Sequence, residues 1–139
     1  AALAASIAVS AYEFIQGRNP TEAKIRVFQP QKRKHGYEMS SAVVELLNDD
    51  MPFLVDSLSA ELIRHGFTIR ETFHPIFRIQ RDSKGVLKSL GDQQAKGKDF
   101  SAESLIHFEI SMLPEGMTEA QLEQDLLWVV QHIRAAVSD

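Results

Sequence analysis

The sequence predicts an α+β sandwich: an antiparallel sheet with helices mainly on one face, plus an extra helix and strand at the N-terminus. Three observations lead there. Apolar residues recur at helical spacing in some stretches and alternate at a period of two in others. Read in chain order, the elements are helix, strand, strand, helix, long strand, strand, helix. The central β-α-β-β-α piece of that order is the ferredoxin-like split unit without its final strand. Finally, 139 residues with 44% hydrophobic and 24% charged side chains are the composition of one globular domain.

Leu3, Ile7, Ala11, Phe14 and Ile15 form one helical stripe, which Gly17 and Asn19-Pro20 stop. Residues 1–22 therefore read as a helix and linker, and 23–139 as the α/β core of a single domain. Ala23–Gln29 alternates and predicts a short strand able to fill the vacant sheet position. Pro30–Glu38 reads as a polar loop, with Lys32, Arg33 and Lys34 as a solvated face rather than a binding patch. Ser41–Leu47, apolar on both sides, predicts a central strand. Asp50 can cap a helix whose second position is Pro52, with the stripe Leu54, Val55, Leu58 and Leu62 and a stop at Gly66.

Phe67–Gln80 alternates throughout and predicts one long strand. Phe67, Ile69, Phe73, Phe77 and Ile79 share one face of it; Thr68, Arg70, Thr72, His74 and Arg78 share the other. Arg81–Phe100 reads as a loop holding a short strand near Val86–Leu90. Ser104–Leu113 is the next strand, with Ile106, Phe108, Ile110 and Met112 inward and His107 and Glu109 outward. Thr118 and Gln121 make a capping box for the last helix, whose stripe is Leu122, Leu126, Val129, Val130, Ile133 and Val137. A right-handed crossover places both core helices on the same sheet face. The opposite face then presents Arg70, Thr72, His74, Arg78, His107 and Glu109 to the N-terminal helix or to another subunit. Of these, Arg70, His74, Arg78, His107 and Glu109 are the candidate interface.

Several function classes are disfavoured. No cysteine is present, which removes disulfides, thiolate metal sites and cysteine nucleophiles and suits a reducing, cytoplasmic setting. A net charge of −4 offers no attraction to nucleic acid or an anionic membrane, and no apolar run approaches a spanning length of about 20 residues. No two glycines stand two apart, so a dinucleotide-binding G-x-G-x-x-G loop is missing. Gly91 with Gly97-Lys98 does not match a phosphate loop, because its spacing is too long and Asp99 stands where Ser or Thr belongs. The chain does not start with Met, and its last helix is still apolar near Asp139. It is read as a segment of a longer protein.

Two clusters remain. Asn48-Asp49-Asp50 sits at a strand-to-helix turn, where carboxylates and free helix N–H groups can hold an amino acid's ammonium and carboxylate. The alternative is a helix cap and an Asx-turn. His74, His107 and Glu109 can converge across strands, but polar residues on an open sheet face are ordinary, and no metal is expected. Glu71 lies on an otherwise apolar strand face, either buried with a partner or where the strand leaves the core. Trp128 and Leu127 belong to the core or to an interface.

The block from Asn48 through Met51-Pro52-Phe53-Leu54-Val55-Asp56-Ser57 resembles the N-terminal region of the large bacterial NAD-specific glutamate dehydrogenases. So do Ala23–Val27 with Pro30, His74-Pro75 with Arg78, and Glu103-Ser104 through His107 and Glu109-Ile110. The resemblance implies a non-catalytic, ACT-like domain of ferredoxin-like fold, in a parent enzyme that uses NAD to deaminate L-glutamate to 2-oxoglutarate. It also implies an amino-acid effector at the turn formed by Asn48, Asp49, Asp50, Met51, Pro52, Phe53 and Leu54, with no cofactor in this chain. The implied partners are the remainder of the polypeptide and further copies of it in a homo-oligomer. At this turn the ACT pattern has an acidic residue, then Pro-Gly, and Phe53 replaces the glycine here. A ligand-free oligomerisation or scaffolding module is therefore the rival reading.

Overall fold

A computed structural model describes residues 2–91 and 100–138 of the chain. Gly97, Lys98 and Asp99 lie outside the described residues. In chain order the elements are α1 (Ala2–Ile15), β1 (Lys24–Phe28), α2 (Lys32–His35), β2 (Ala42–Asp49), α3 (Leu54–Arg64) and β3 (Ile69–Phe73). There follow β4 (Ile76–Arg81), β5 (Leu87–Gly91), β6 (Phe100–Ile110) and α4 (Glu119–Ser138).

The described strands form one antiparallel sheet in the order β1-β2-β6-β4-β5, with β3 also paired to β6. On the edge away from β2, β6 is long enough to serve two partners. Its first half faces β4 and its second half faces β3. β1 takes the edge beside β2, which is the position left open by the missing last strand of the split unit. Its exposed amides do not stay bare. Glu123 Oε1 accepts from the Val27 N–H at 2.8 Å, and Glu119 Oε1 from that of Gln29 at 3.4 Å, so α4 protects the edge from pairing with another chain.

Period-two alternation divides the buried residues between two faces. Ala42, Val44 and Leu46 of β2 join Ile106, Phe108 and Ile110 of β6, and α3 and α4 cover them with Leu54, Leu58, Leu62, Leu122, Leu126 and Val130. This is the main core. On the reverse face α1 lays Phe14 and Ile15 against Leu47 and Leu105. The Thr118–Gln121 box forms in both directions, at 3.0 and 3.1 Å, and Gly66 closes α3 with φ of +91°.

The structure departs from the sequence expectations in several places. The predicted strand Phe67–Gln80 is two strands, because Pro75 has no N–H to donate to the ladder and the register slips between Ile69 and Glu71. The slip also splits the supposed apolar face: Ile69 packs with the main core, whereas Phe77 packs beneath α1. Within the predicted loop Pro30–Glu38, Lys32–His35 form one helical turn closed by Gly36. Asp50 does not cap α3. Phe53 occupies the cap position, and an Asp50 carboxylate oxygen accepts instead from Ser104 Oγ at 2.7 Å. β6 ends at Ile110, leaving Met112 exposed beyond it. Two open alternatives are narrowed: Trp128 is not in the core but stands on the solvent side of α4 against His132, their rings 3.8 Å apart, and Glu71 is exposed rather than buried with a partner.

Candidate functional site

The turn after β2 was expected to offer free carboxylates, and most of its polar atoms are already engaged. Arg134 of α4 reaches over to donate to Asn48 Oδ1 and stands 3.5 Å from Asp49 Oδ2. Asp49 Oδ1 accepts from Arg18 at 2.6 Å. The Asp50 N–H donates to the Ala102 carbonyl at 3.0 Å. Met51 packs on the main core from the turn, and Leu54 is buried within it. Phe53 is the unusual member. Its φ is +74°, in the left-handed region, and its side chain is 68% exposed. A bulky residue there is a true outlier. It is the position at which the ACT pattern has glycine, so the backbone keeps a glycine's conformation while the residue does not suit it. No side chain caps α3, and its first-turn N–H groups are those that a helix leaves without internal partners.

Behind the turn lies an ion cluster. Arg18, 4% exposed, bridges Asp49 and Glu103, and Arg81 grips the same Glu103 through both carboxylate oxygens at 2.9 and 3.0 Å. Burial by itself would raise the Glu103 carboxyl, but the hydrogen bonds from Arg81 and Arg18 hold it below the ordinary carboxylate value. Gly85, with φ of +86°, accepts from both the Arg18 N–H and Arg81 Nη1 through its carbonyl. A Cβ there would stand 2.2 Å from the Arg18 carbonyl oxygen, so only glycine lets the two backbones approach.

The five candidate sheet-face residues do not act together. His107 is buried beneath α1, and its Nδ1 lies 2.8 Å from Glu45 Oε2. Glu45, fully buried, also accepts from Arg26 Nε at 2.6 Å. Burial opposes its charge, yet His107 and Arg26 keep the Glu45 carboxyl below the usual value. Glu109 is half-buried with Oε2 4.0 Å from His107 Nε2, beyond hydrogen-bonding reach. Arg70 falls in the register slip and donates to Ser41 Oγ at 2.8 Å. Arg78 pairs opposite Ala102 and reaches the Phe100 carbonyl, and His74 is exposed at the break between β3 and β4. Among the described residues no three His, Asp or Glu side chains gather closely enough to hold a metal ion.

The sequence singled out neither Arg18 nor Glu45, and Glu103 only as part of a family block with no ion-pair role. The one local signal was charge at positions whose strand neighbours are all apolar, as at Glu45 between Val44 and Leu46. α1 is fastened by the same kind of contact. Lys24 Nζ donates to the Phe14 and Gly17 carbonyls at 2.6 and 2.8 Å, a cation at the helix C-terminus, and Arg26 donates to Ser10 and lies over the Phe14 ring.

Comparison with known proteins bears on the whole of this arrangement. The model of the family described as "Glutamate dehydrogenase, ACT1 domain" matches residues 1–126. The chain is 34% identical over 131 residues to the NAD-specific glutamate dehydrogenase of Pseudomonas aeruginosa and 32% identical over 131 residues to that of Halomonas elongata. Each alignment covers 94% of this chain and 8% of the relative, so the chain corresponds to a small part of those proteins. The chain belongs to the ACT1-domain family of glutamate dehydrogenases.

Proposed function

We propose that the chain is a non-catalytic regulatory and assembly domain of an NAD-dependent glutamate dehydrogenase. The parent enzyme would deaminate L-glutamate to 2-oxoglutarate and ammonia with NAD, in the cytoplasm. The NAD and the catalytic residues would belong to the remainder of the polypeptide, which is the domain's first partner. The observation that supports a non-catalytic role is the mutual pairing of its ionisable groups. Asp49 is taken up by Arg18 and Arg134, Glu103 by Arg18 and Arg81, and Glu45 by Arg26 and His107. Such groups hold elements together rather than stand ready to exchange protons.

In the regulatory form of this reading an amino-acid effector binds at the α3 N-terminus, its carboxylate on the amides of Leu54 to Asp56 and its ammonium near Asp50. Amide NMR of the chain titrated with each of the twenty amino acids tests this. Saturable shifts confined to residues 48–56 are expected for at least one of them; none at millimolar concentration would remove the effector.

A second reading, a ligand-free scaffolding or oligomerisation module, is favoured by one observation. The arginines already satisfy Asn48 and Asp49, while Phe53 and Trp128 are exposed at 68% and 61%. On this reading the exposed Arg70 and His74, with the half-buried Arg78, contribute to a homo-oligomer. Light scattering should then give a mass above that of the monomer, and the Arg70→Glu/Arg78→Glu variant should lower it. A monomer in both contradicts self-association.

A further inference from the structure

Along α4 the solvent-facing residues change character. Its first turns expose Glu119, Gln121, Gln124 and Asp125, whereas its later turns expose Trp128, Ala136 and Val137 as well as polar groups. Trp128, Val129, Ile133, Ala136 and Val137 fall on one helical stripe. With Phe53 at the start of α3 they line an open groove of about 510 Å³ between the two helices. Val129 and Ile133 also pack on the main core, so the floor of the groove is continuous with it. His132 stacks on Trp128 and holds the indole in place although it is exposed.

Phe53 carries the second observation. Its backbone is held at φ of +74°, where a bulky residue is strained, and such strain persists where something offsets it. Within the 139-residue chain burial of the ring offsets little of it, because most of the ring faces solvent. A strained exposed aromatic beside an exposed, stacked Trp has the composition of the anchors of a contact surface.

Area decides between a second copy of the chain and a tethered segment as the occupant. At 68% and 61% exposure, Phe53 and Trp128 present roughly 200–300 Å² between them. A free-standing interface buries about 800 Å² on each side, so a second copy seated on this groove alone is held by too little. A segment of the same polypeptide needs less, since its tether keeps it at an effective concentration near millimolar. The reading of the chain as a domain of a longer enzyme supplies such a segment, and the inference rests on that reading: the relatives extend far beyond the 8% of their length aligned here. The family match stops at residue 126, ahead of every α4 residue in the groove. Ala136 and Val137 belong to the last turns of α4, so polypeptide following α4 in the parent sets out from the end of the groove. A short connection there returns a second helix antiparallel to α4, as in an αα-hairpin.

We propose that the groove between α3 and α4 is the docking site of a helix formed by the polypeptide that follows α4 in the parent enzyme. It lies antiparallel to α4 with its apolar face on Phe53 and Trp128. Anchors at i, i+3 or i+4, and i+7 cover the roughly 14 Å of α4 from Trp128 to Val137.

Replacing Trp128 by the photo-cross-linker p-benzoylphenylalanine in the full parent enzyme tests this, with the joined peptides read by mass spectrometry. The product should keep the mass of one polypeptide on a denaturing gel. Its cross-link should fall within about 25 residues after Asp139, room for a short loop and one helix. Oxidative footprinting of the unsubstituted proteins gives a second readout: Phe53 and Trp128 should react several-fold more slowly in the parent than in the 139-residue chain. Trp128→Glu should remove the protection of Phe53 in the parent while the 139-residue chain still folds, because the indole faces solvent there. Glutamate-dependent NAD reduction by the same preparation reports on the parent's activity, so failure of the enzyme reading and failure of the docking site are told apart. The proposal fails if Phe53 and Trp128 react equally fast in both proteins, or if Trp128→Glu leaves Phe53 protected. A covalent dimer, or a cross-link to another part of the polypeptide or to another protein, likewise overturns it.

Discussion

Between the sheet and helices α3 and α4 the buried side chains are almost all carbon, with Leu46, Ile106 and Phe108 fully enclosed. Between the same sheet and α1 the buried side chains include Arg18, Glu45, Glu103 and His107. One face is held by area removed from water, and the other by a small apolar cluster framed with ion pairs. Removing carbon from the first face should cost according to the cavity left. Removing one charge from the second should cost according to the partner left unpaired.

The largest effect is expected at Phe108. Phe108→Ala should destabilise the chain by about 3–5 kcal/mol, measured by denaturant unfolding, because the residue sits at the centre of the enclosed face. On the α1 face Glu103→Gln should cost about 3 kcal/mol by taking from Arg81 its carboxylate and from Arg18 one of its two, although it removes no volume. Replacing Glu103, Arg18 and Arg81 together by apolar residues of similar size should restore much of that loss. If the triple variant is no better than Glu103→Gln, the two faces do not differ in the way described.

A smaller gain is expected at the turn. Phe53→Gly should stabilise by about 0.5–1 kcal/mol, the left-handed strain released less the added freedom of the unfolded chain. A loss would show that the Phe53 ring makes contacts that outweigh its backbone strain.

The effects of pH separate the faces, and the smallest of all is that of alkali. Glu45 and Glu103 titrate below their ordinary value of 4.5 in the fold. Their contribution is therefore complete above that value and is lost as the pH falls through the depressed one. His65 behaves oppositely. Its hydrogen bond to Asp125, which links α3 to α4, raises it above 6.5. That contribution is complete below 6.5 and disappears as the pH rises through the raised value. Acid should thus loosen α1 first, seen as faster amide exchange there, while alkali should remove only a fraction of a kcal/mol at the α3–α4 contact.

This division also explains what could be read in the sequence. The α3/α4 face was legible almost residue by residue, because the stripe Leu54, Leu58, Leu62 and the alternation Ile106, Phe108, Ile110 are local patterns. The capping box at Thr118 and the stop at Gly66 are equally local. The ion pairs were not legible, since Arg18 and Glu103 lie 85 positions apart and each alone reads as surface charge. The slip at Arg70 preserved the look of an unbroken alternation, and Pro75 was the one warning that the strand must break. At the turn the residues were found but not their partners. Arg134 reaches Asn48 from 86 positions away, a pairing that no spacing rule reveals.

The central claim is that this domain serves a glutamate dehydrogenase without taking part in the chemistry. It is tested most directly by placing Asp50→Asn in the full parent enzyme and following glutamate-dependent NAD reduction with and without added amino acids, alongside the isolated chain. The chain alone should show no turnover, and the parent variant should keep its basal rate while its response to amino acids changes. NAD reduction by the chain alone, or a folded variant that has lost its basal rate, would contradict it.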